Sequence, residues 1–134
     1  MDSSLKKPKS ILEVFGLKPD MKTRVVNQPE DYSQIMNGWK FEHGSASDKI
    51  DFAHLFVRSQ KDLHSWLPKL RDQLVPNGMI WVSWLKKSSN VPTDVGENDV
   101  RTFAIEIGLV DIKVCAVSDI WSGLKLVIPV AKRV

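Results

Sequence analysis

Two apolar runs on either side of one amphipathic segment constrain the fold of this chain most. Residues 50–57 (IDFAHLFV) are almost continuously apolar, which is typical of a parallel strand covered on both faces. Residues 78–84 (GMIWVSW) form a second run of this kind. Between the two runs, leucines recur at helical spacing after Ser59, a residue type that favours a helix start. The order of strand, helix and strand predicts a parallel βαβ unit.

The rest of the chain extends this unit into a larger sheet. Four further strands are predicted at residues 23–27, 39–42, 110–116 and 124–128. Helix starts are predicted at Ser10 with Glu13, at Pro29, and at Asp94 with Glu97. A turn is predicted at Pro76-Asn77-Gly78.

The predicted fold is α/β, a single domain at residues 10–134 preceded by a flexible arm at residues 1–9. We expect a mostly parallel sheet of six strands with helices on both faces. The last two predicted strands are joined by a short turn at residues 119–123, so the C-terminal strand should pair antiparallel.

Composition excludes several classes of protein. The 134 residues suit one globular domain, and the net charge of +3 is too small to indicate nucleic-acid binding by itself. No apolar run approaches the length of a membrane span and no signal peptide is recognised, so we expect a cytoplasmic protein. The single cysteine, Cys115, excludes an internal disulfide and is expected to be buried. No histidine pair has metal-ligand spacing, so no metal site is expected.

Polar side chains follow the predicted strands, at the edge where parallel sheets bind ligands. Cations, hydroxyls and helix N-termini in this set suit an anion such as a phosphate, and a tryptophan there supplies a flat face for a ring. We therefore expect a small anionic or nucleotide-like ligand at this strand-end rim. The candidate ligand-binding residues are Asn27, Gln28, Arg58, Ser59, Trp84, Lys86, Lys87, Ser88, Ser89, Asp94 and Trp121.

The same residues also fit ordinary structural roles. Ser59 and Asp94 are expected to cap helices whether or not a ligand binds. The three cations fit a solvated surface, and the tryptophans fit a core, as expected for Trp66 and Trp81. Inert loops are therefore the alternative to a ligand site at this edge.

The second half of the chain resembles the class I S-adenosylmethionine-dependent methyltransferases. The resemblance is carried by the turn Leu74-Val75-Pro76-Asn77-Gly78 and by the hairpin at residues 110–129. It implies a methyltransferase-like Rossmann fold, with S-adenosylmethionine as a possible cofactor. The first half departs from that family, because residues 25–29 contain no glycine and Glu42 is the only candidate acid for the ribose. These departures disfavour the cofactor.

A broader resemblance, to a small family of uncharacterised bacterial proteins with a domain of unknown function, spans most of the chain. It is carried by Leu17-Lys18-Pro19, residues 27–32 (NQPEDY), residues 54–59 (HLFVRS), residues 81–84 (WVSW), residues 87–89 (KSS), Thr93-Asp94, residues 114–117 (VCAV) and residues 121–125 (WSGLK). This resemblance implies the fold and no activity.

No catalytic constellation is recognised, because the nucleophile elbow and the phosphate-binding loop are both missing from the sequence. The leading interpretation is a ligand-binding domain without assigned catalytic residues. One alternative is a methyltransferase with a degenerate cofactor loop. Another is a module that binds nucleic acid or protein through Lys86, Lys87 and the lysine-rich arm; nucleic acid is disfavoured by the low charge. The oligomeric state is not predicted.

Overall fold

The computed structural model describes residues 10–40 and 42–133, so the predicted arm at residues 1–9 lies outside the described residues. The strands are β1 (Lys22–Val26), β2 (Glu42–His43), β3 (Ile50–Val57), β4 (Leu74–Leu85), β5 (Val110–Ala116) and β6 (Trp121–Val127). The α-helices are α1 (Ile11–Phe15), α2 (Tyr32–Ile35), α3 (Gln60–Gln73) and α4 (Glu97–Glu106). Short 3-10 helices lie at Lys87–Ser89 and Val130–Lys132.

These strands form one mixed sheet in the order β2-β1-β3-β4-β6-β5. The pairs β1–β2, β1–β3 and β3–β4 are parallel, whereas β6 runs antiparallel to both of its neighbours, β4 and β5. The prediction of a mostly parallel sheet with an antiparallel C-terminal strand is confirmed. The short connection between β5 and β6 leaves no room for the crossover that parallel pairing needs.

Helices cover both faces of the sheet, as predicted. On one face the leucines of α3 and the residues Val100 and Ala104 of α4 pack against β3, β4 and β6. On the other face Phe15 of α1 and Tyr32 of α2 pack against the aromatic side of β3 and β4. Phe15 stacks on Trp81 with ring centroids 4.1 Å apart. Two separate apolar clusters therefore stabilise the sheet, one on each side. Among the described residues, no helix is long and apolar enough to cross a bilayer.

The predicted Pro76-Asn77-Gly78 turn is wrong. Strand β4 begins directly after α3, and its register with β3 shifts, with Leu74 opposite Ile50 and Met79 opposite Phe52. Residues 75–78 therefore form a bulge inside the strand. A Cβ atom on Gly78 would lie 2.7 Å from Leu74 Cδ1 and 3.0 Å from the Asp51 carbonyl oxygen, so the close approach of the two strands requires glycine.

Two predicted helix starts are also wrong, although Ser10 caps α1 as expected. Helix α2 begins at Tyr32, and Pro29 lies one turn earlier, where its carbonyl oxygen accepts a hydrogen bond from the Tyr32 backbone N. The cap of α4 is Gly96, whose backbone N donates to Asp99 Oδ2 at 2.9 Å. Asp94 does not cap α4, because its carboxylate accepts a hydrogen bond at the start of α3 instead.

Several apolar residues are partly exposed, among them Cys115 and Trp66, which are expected from the sequence to be buried. Strand β5 lies at the edge of the sheet, and its residues Ile112 and Val114 are 54% and 45% exposed. Cys115 on the same strand is half-buried, and this burial raises the pKa of its thiol. Trp66 is also half-buried, with the side-chain cations of Arg24 and Lys69 over its ring. The apolar alternation of an edge strand does not reveal how far the described helices cover it.

Candidate functional site

The carboxyl ends of β1, β3 and β4 meet at one edge of the sheet, which we call the carboxyl-end rim. Asn27 follows β1, Arg58 follows β3 and Lys86 follows β4. The chain leaves β1 toward β2 and leaves β3 toward β4, in opposite directions along the sheet. The strand order therefore reverses between β1 and β3, which is where open α/β sheets form their ligand crevice.

Asn27 and Arg58 bridge this crevice. Asn27 has φ 60°, a left-handed conformation that asparagine tolerates better than most residues other than glycine. Its Nδ2 donates to the carbonyl oxygen of Phe56 on β3 at 3.3 Å, and Arg58 Nη1 donates to the Asn27 carbonyl oxygen at 3.5 Å. The Asn27 side chain therefore lies across the crevice.

The start of α3 carries carboxylates of the chain itself. The Ser59 hydroxyl accepts a hydrogen bond from the Asp62 backbone N at 3.1 Å, so the predicted cap is confirmed. Asp94 Oδ1 accepts from the Gln60 backbone N at 2.7 Å, and Asp62 Oδ2 accepts from the Arg58 backbone N at 2.9 Å. Because carboxylates are favoured at a helix N-terminus, they compete with any external anion at this position.

We predict that Asp94→Ala lowers the free energy of unfolding by about 1 kcal/mol, because the Gln60 N–H loses its charged acceptor. Chemical denaturation followed by tryptophan fluorescence measures this loss. The control is Asp119→Ala, which removes the same charge from an exposed side chain with no hydrogen bond within the described residues. Equal stability of the two variants would show that Asp94 is not a significant cap.

The two tryptophans of the rim are buried, which fits the alternative in which they belong to the core, although Trp84 also lines a rim cavity. Trp121 is 1% exposed, its ring meets Phe56 edge-on, and the Arg58 guanidinium carbon lies 5.1 Å from its ring centroid. Trp84 is 6% exposed and packs in the apolar cluster under α3 and α4. Both rings therefore lie in the apolar interior, because each belongs to a strand that is covered on both faces.

One rim cavity lies beyond β4, and we call it the β4-end cavity. Its volume is about 530 Å³. It is lined by Trp84, Leu85, Lys87, Thr93, Asp94, Val95, Gly96, Glu97, Asn98 and Asp99. Lys87 is the one cation among its described lining residues, against three carboxylates. The cavity is therefore acidic, although the cations predicted at this rim led to the expectation of an anion site.

The other predicted residues of this loop serve mainly its own structure. The Lys86 backbone N donates to the Ile120 carbonyl oxygen at 2.8 Å, which attaches the loop to the β5–β6 turn. The Ser89 hydroxyl accepts from the Val91 backbone N at 3.2 Å. Ser88 is exposed beside Lys87 on the short 3-10 helix. Neither serine lines the β4-end cavity.

A second rim cavity lies at the end of β1, and we call it the β1-end cavity. Its volume is about 470 Å³, and its lining residues are Gln28, Pro29, Glu30, Tyr32, Ser33, Met36 and Trp39. Of these residues only Gln28 is predicted to be a site residue, because residues 29–36 fall in a segment predicted to be a helix and Trp39 begins a predicted strand. The sequence does concentrate polar and aromatic side chains just after β1, and this is the pattern that could have indicated the cavity.

A buried hydrogen-bonded chain lies beneath the β1-end cavity. The Tyr32 hydroxyl lies 2.9 Å from His54 Nδ1, and His54 Nε2 lies 2.8 Å from the Ser83 hydroxyl. Burial lowers the pKa of His54 to about 3 and raises the pKa of Tyr32 above its ordinary value. The imidazole is therefore neutral at pH 7 and joins α2 to β3 and β4. The sequence predicts that His54 lies in the middle of a strand, but it does not reveal that Tyr32 and Ser83 are its hydrogen-bond partners.

Within residues 10–40 and 42–133, no group of three or more histidine, cysteine, aspartate or glutamate side chains is arranged to hold a metal ion. Of the acidic residues of the β4-end cavity, Asp94 and Asp99 accept hydrogen bonds from backbone N–H groups, and Glu97 forms an ion pair with Arg101.

Comparison with solved structures identifies the fold. A magnesium protoporphyrin IX methyltransferase from Synechocystis PCC 6803 with bound SAH is 10% identical, with a TM-score of 0.57, covering 87% of this chain and 78% of that one. A ribosomal protein L11 methylase from Lactobacillus delbrueckii subsp. bulgaricus is 12% identical, with a TM-score of 0.55, covering 87% and 73%. At these identities the likeness shows a methyltransferase-like Rossmann fold and nothing more specific.

Sequence comparison identifies the family. The search of curated proteins found no significant match. A family model described as "Protein of unknown function (DUF3052)" matches residues 8–130, which is most of the chain. The chain therefore belongs to the DUF3052 family of proteins of unknown function, and it has a methyltransferase-like α/β fold.

Proposed function

We propose that this chain binds a nucleotide-like small molecule at the carboxyl-end rim, with the nucleoside portion in the β1-end cavity. The observation that carries the proposal is the position of this cavity, which opens at the end of β1 beside the reversal of strand order. Ligands of open α/β sheets bind at this position.

The lining of the β1-end cavity suits a nucleoside. Half-buried Trp39 provides an aromatic ring for stacking on a base, and Met36 and Tyr32 provide an apolar floor. Glu30 and Gln28 are exposed and provide acceptors and donors for sugar hydroxyls and base edges. A cavity of about 470 Å³ lies in the range of small-molecule sites.

The charge of the residues that line the β1-end cavity restricts the class of ligand that it can bind. None of the described residues that line the β1-end cavity is a lysine or an arginine, and Glu30 contributes a carboxylate. A neutral or cationic nucleoside is therefore favoured in this cavity over a nucleoside triphosphate, whose phosphates would lack counter-charges there.

S-adenosylmethionine is the second candidate, because it joins a nucleoside to a sulfonium cation. The specific support is the fold shared with the methyltransferase solved with bound SAH. Against it stands Asn27, whose side chain bridges the crevice where that class of enzyme uses glycine to admit the cofactor.

Isothermal titration with adenosine, S-adenosylmethionine, S-adenosylhomocysteine and ATP tests the proposal. We expect the first three to bind more tightly than ATP, and Trp39→Ala to weaken binding at least about tenfold through loss of stacking. Trp66→Ala, which removes a half-buried tryptophan from another surface, is the matched control. No heat from any nucleoside, or equal weakening by both variants, would refute the site.

Comparison of the two S-adenosyl compounds separates the candidates. Because the sulfonium cation is absent from S-adenosylhomocysteine, Glu30→Gln should weaken the binding of S-adenosylmethionine more than that of the other compound. An equal effect on both would favour a simple nucleoside site over a site for the charged cofactor.

A further inference from the structure

A third cavity lies at the opposite edge of the sheet, and we call it the amino-end cavity. Asp51 and Met79 line it from the early parts of β3 and β4, and Val127 lines it from the end of the antiparallel strand β6. Its volume is about 340 Å³. It shares no lining residue with either cavity of the carboxyl-end rim.

The lining of the amino-end cavity is basic. Lys18, Lys125 and Arg133 all contribute to it, and Asp51 is the one carboxylate among its described lining residues. That carboxylate accepts a hydrogen bond from the Lys22 backbone N at 2.9 Å. The ion pairs found within residues 10–40 and 42–133 all involve Arg101, so the three cations of this cavity have no carboxylate partner in that part of the chain.

Lys125 occupies a position that packing does not explain. It is half-buried in β6, with Trp81 beside it on β4 and Lys113 opposite it on β5. Like charges that face each other across strands are destabilising. Burial and, secondarily, the charge of Lys113 lower the pKa of Lys125. A bound anion would relieve both effects, because it would replace the lost solvation and offset the repulsion.

Arg133 adds a directional contact. Its Nε donates to the Ile128 carbonyl oxygen at 2.8 Å, which positions the guanidinium beside the cavity. Guanidinium groups bind phosphate oxygens through their planar set of N–H donors, whereas lysines contribute a compact charge. Lys18 is exposed at the mouth, where its charge attracts an incoming anion.

We propose that the amino-end cavity binds a small phosphate-bearing anion, with Lys125, Lys18 and Arg133 as its cationic contacts. The anion site thus lies at the edge of the sheet opposite the rim. The contrast in charge supports this placement, because the β4-end cavity is acidic and the β1-end cavity has no cation among its described lining residues. The small volume favours phosphate, pyrophosphate or a short phosphate ester over a larger nucleotide.

Titration of the full chain with pyrophosphate at constant ionic strength tests this site. We expect saturable binding, at least about tenfold weaker in Lys125→Met and several-fold weaker in Lys18→Gln. Lys87→Gln is the matched control, because it removes the same charge from an exposed position on the carboxyl-end rim. Absence of binding to the unmodified chain, or equal weakening by all three substitutions, would overturn the proposal. If Lys125→Met fails to fold, the exposed Lys18 variant decides alone.

Two further binding measurements identify which kind of compound carries the phosphate. Glycerol 3-phosphate that binds more tightly than inorganic phosphate would indicate an ester, and equal binding would indicate the free ion. A short oligonucleotide that binds through Lys125 when pyrophosphate does not would assign the surface to nucleic acid and overturn the proposal. Trp39→Ala should leave pyrophosphate binding unchanged, so failure here is distinguishable from failure of the nucleoside site.

Discussion

Replacement of His54 by alanine is expected to lower the free energy of unfolding by roughly 3–5 kcal/mol. His54 is fully buried and hydrogen-bonded at both ring nitrogens, to Tyr32 and to Ser83. Its removal leaves a cavity among Phe15, Phe56 and their neighbours, and it deprives the buried Ser83 hydroxyl of its partner. Urea denaturation followed by the fluorescence of the five tryptophans measures the loss.

Two variants show whether this loss comes from the hydrogen-bonded chain. His64→Ala removes an exposed histidine that stacks on Phe103, and it should cost less than about 1 kcal/mol. Ser83→Ala keeps the ring of His54 but removes one of its partners, so an intermediate loss of about 1–2 kcal/mol is expected. A loss below about 1 kcal/mol for His54→Ala would contradict the tight packing of this core.

The second large effect is a loss of stability as the pH falls from 6.5 toward 3. The pKa of His54 is about 3 in the folded chain, against an ordinary value of 6.5 when the chain is unfolded. Below pH 6.5 the unfolded state therefore binds a proton that the folded state does not. The stabilisation is complete above pH 6.5 and decreases progressively as the pH falls toward 3. At about 1.4 kcal/mol per pH unit, the total loss is several kcal/mol.

The unfolding free energy should be measured between pH 7 and 4.5, above the range in which most carboxyl groups titrate. His54→Gln keeps hydrogen-bonding capacity without the ionisable ring, so its stability should depend less on pH across this window. Parallel curves for the two proteins would contradict the assignment of the pH dependence to His54.

Local patterns predicted the centre of the fold well. The apolar run at residues 50–57 is strand β3 itself, and Ser59 caps α3 as its position before the leucine repeat indicates. These features depend on residues that are close together in the chain, so the local sequence is enough to predict them. The Pro76-Asn77-Gly78 prediction fails for the same reason, because the strand partner that makes this segment a bulge lies 24–27 residues away in sequence.

The position of the carboxyl-end rim was predictable from the sequence, but the charge of its β4-end cavity was not. The strand ends place Asn27, Arg58 and Trp121 together, and Trp84, Lys87 and Asp94 line one cavity, as the topology implies. The acidity of that cavity depends on Glu97 and Asp99, which the start of α4 brings to it. Asp94 fits a cap for the next helix in sequence, yet its carboxylate reaches Gln60 on α3.

By itself, the sequence determined the strand–helix order, the direction of the last strand and the edge of the sheet where polar loops collect, because hydrophobic periodicity and connection length set these. Only the tertiary structure decided the sign of charge in each cavity, the burial of Trp84 and Trp121, and the partners of His54 and Lys125. Those properties depend on distances between residues that lie far apart in the chain, and electrostatic and packing energies follow such distances rather than sequence separation.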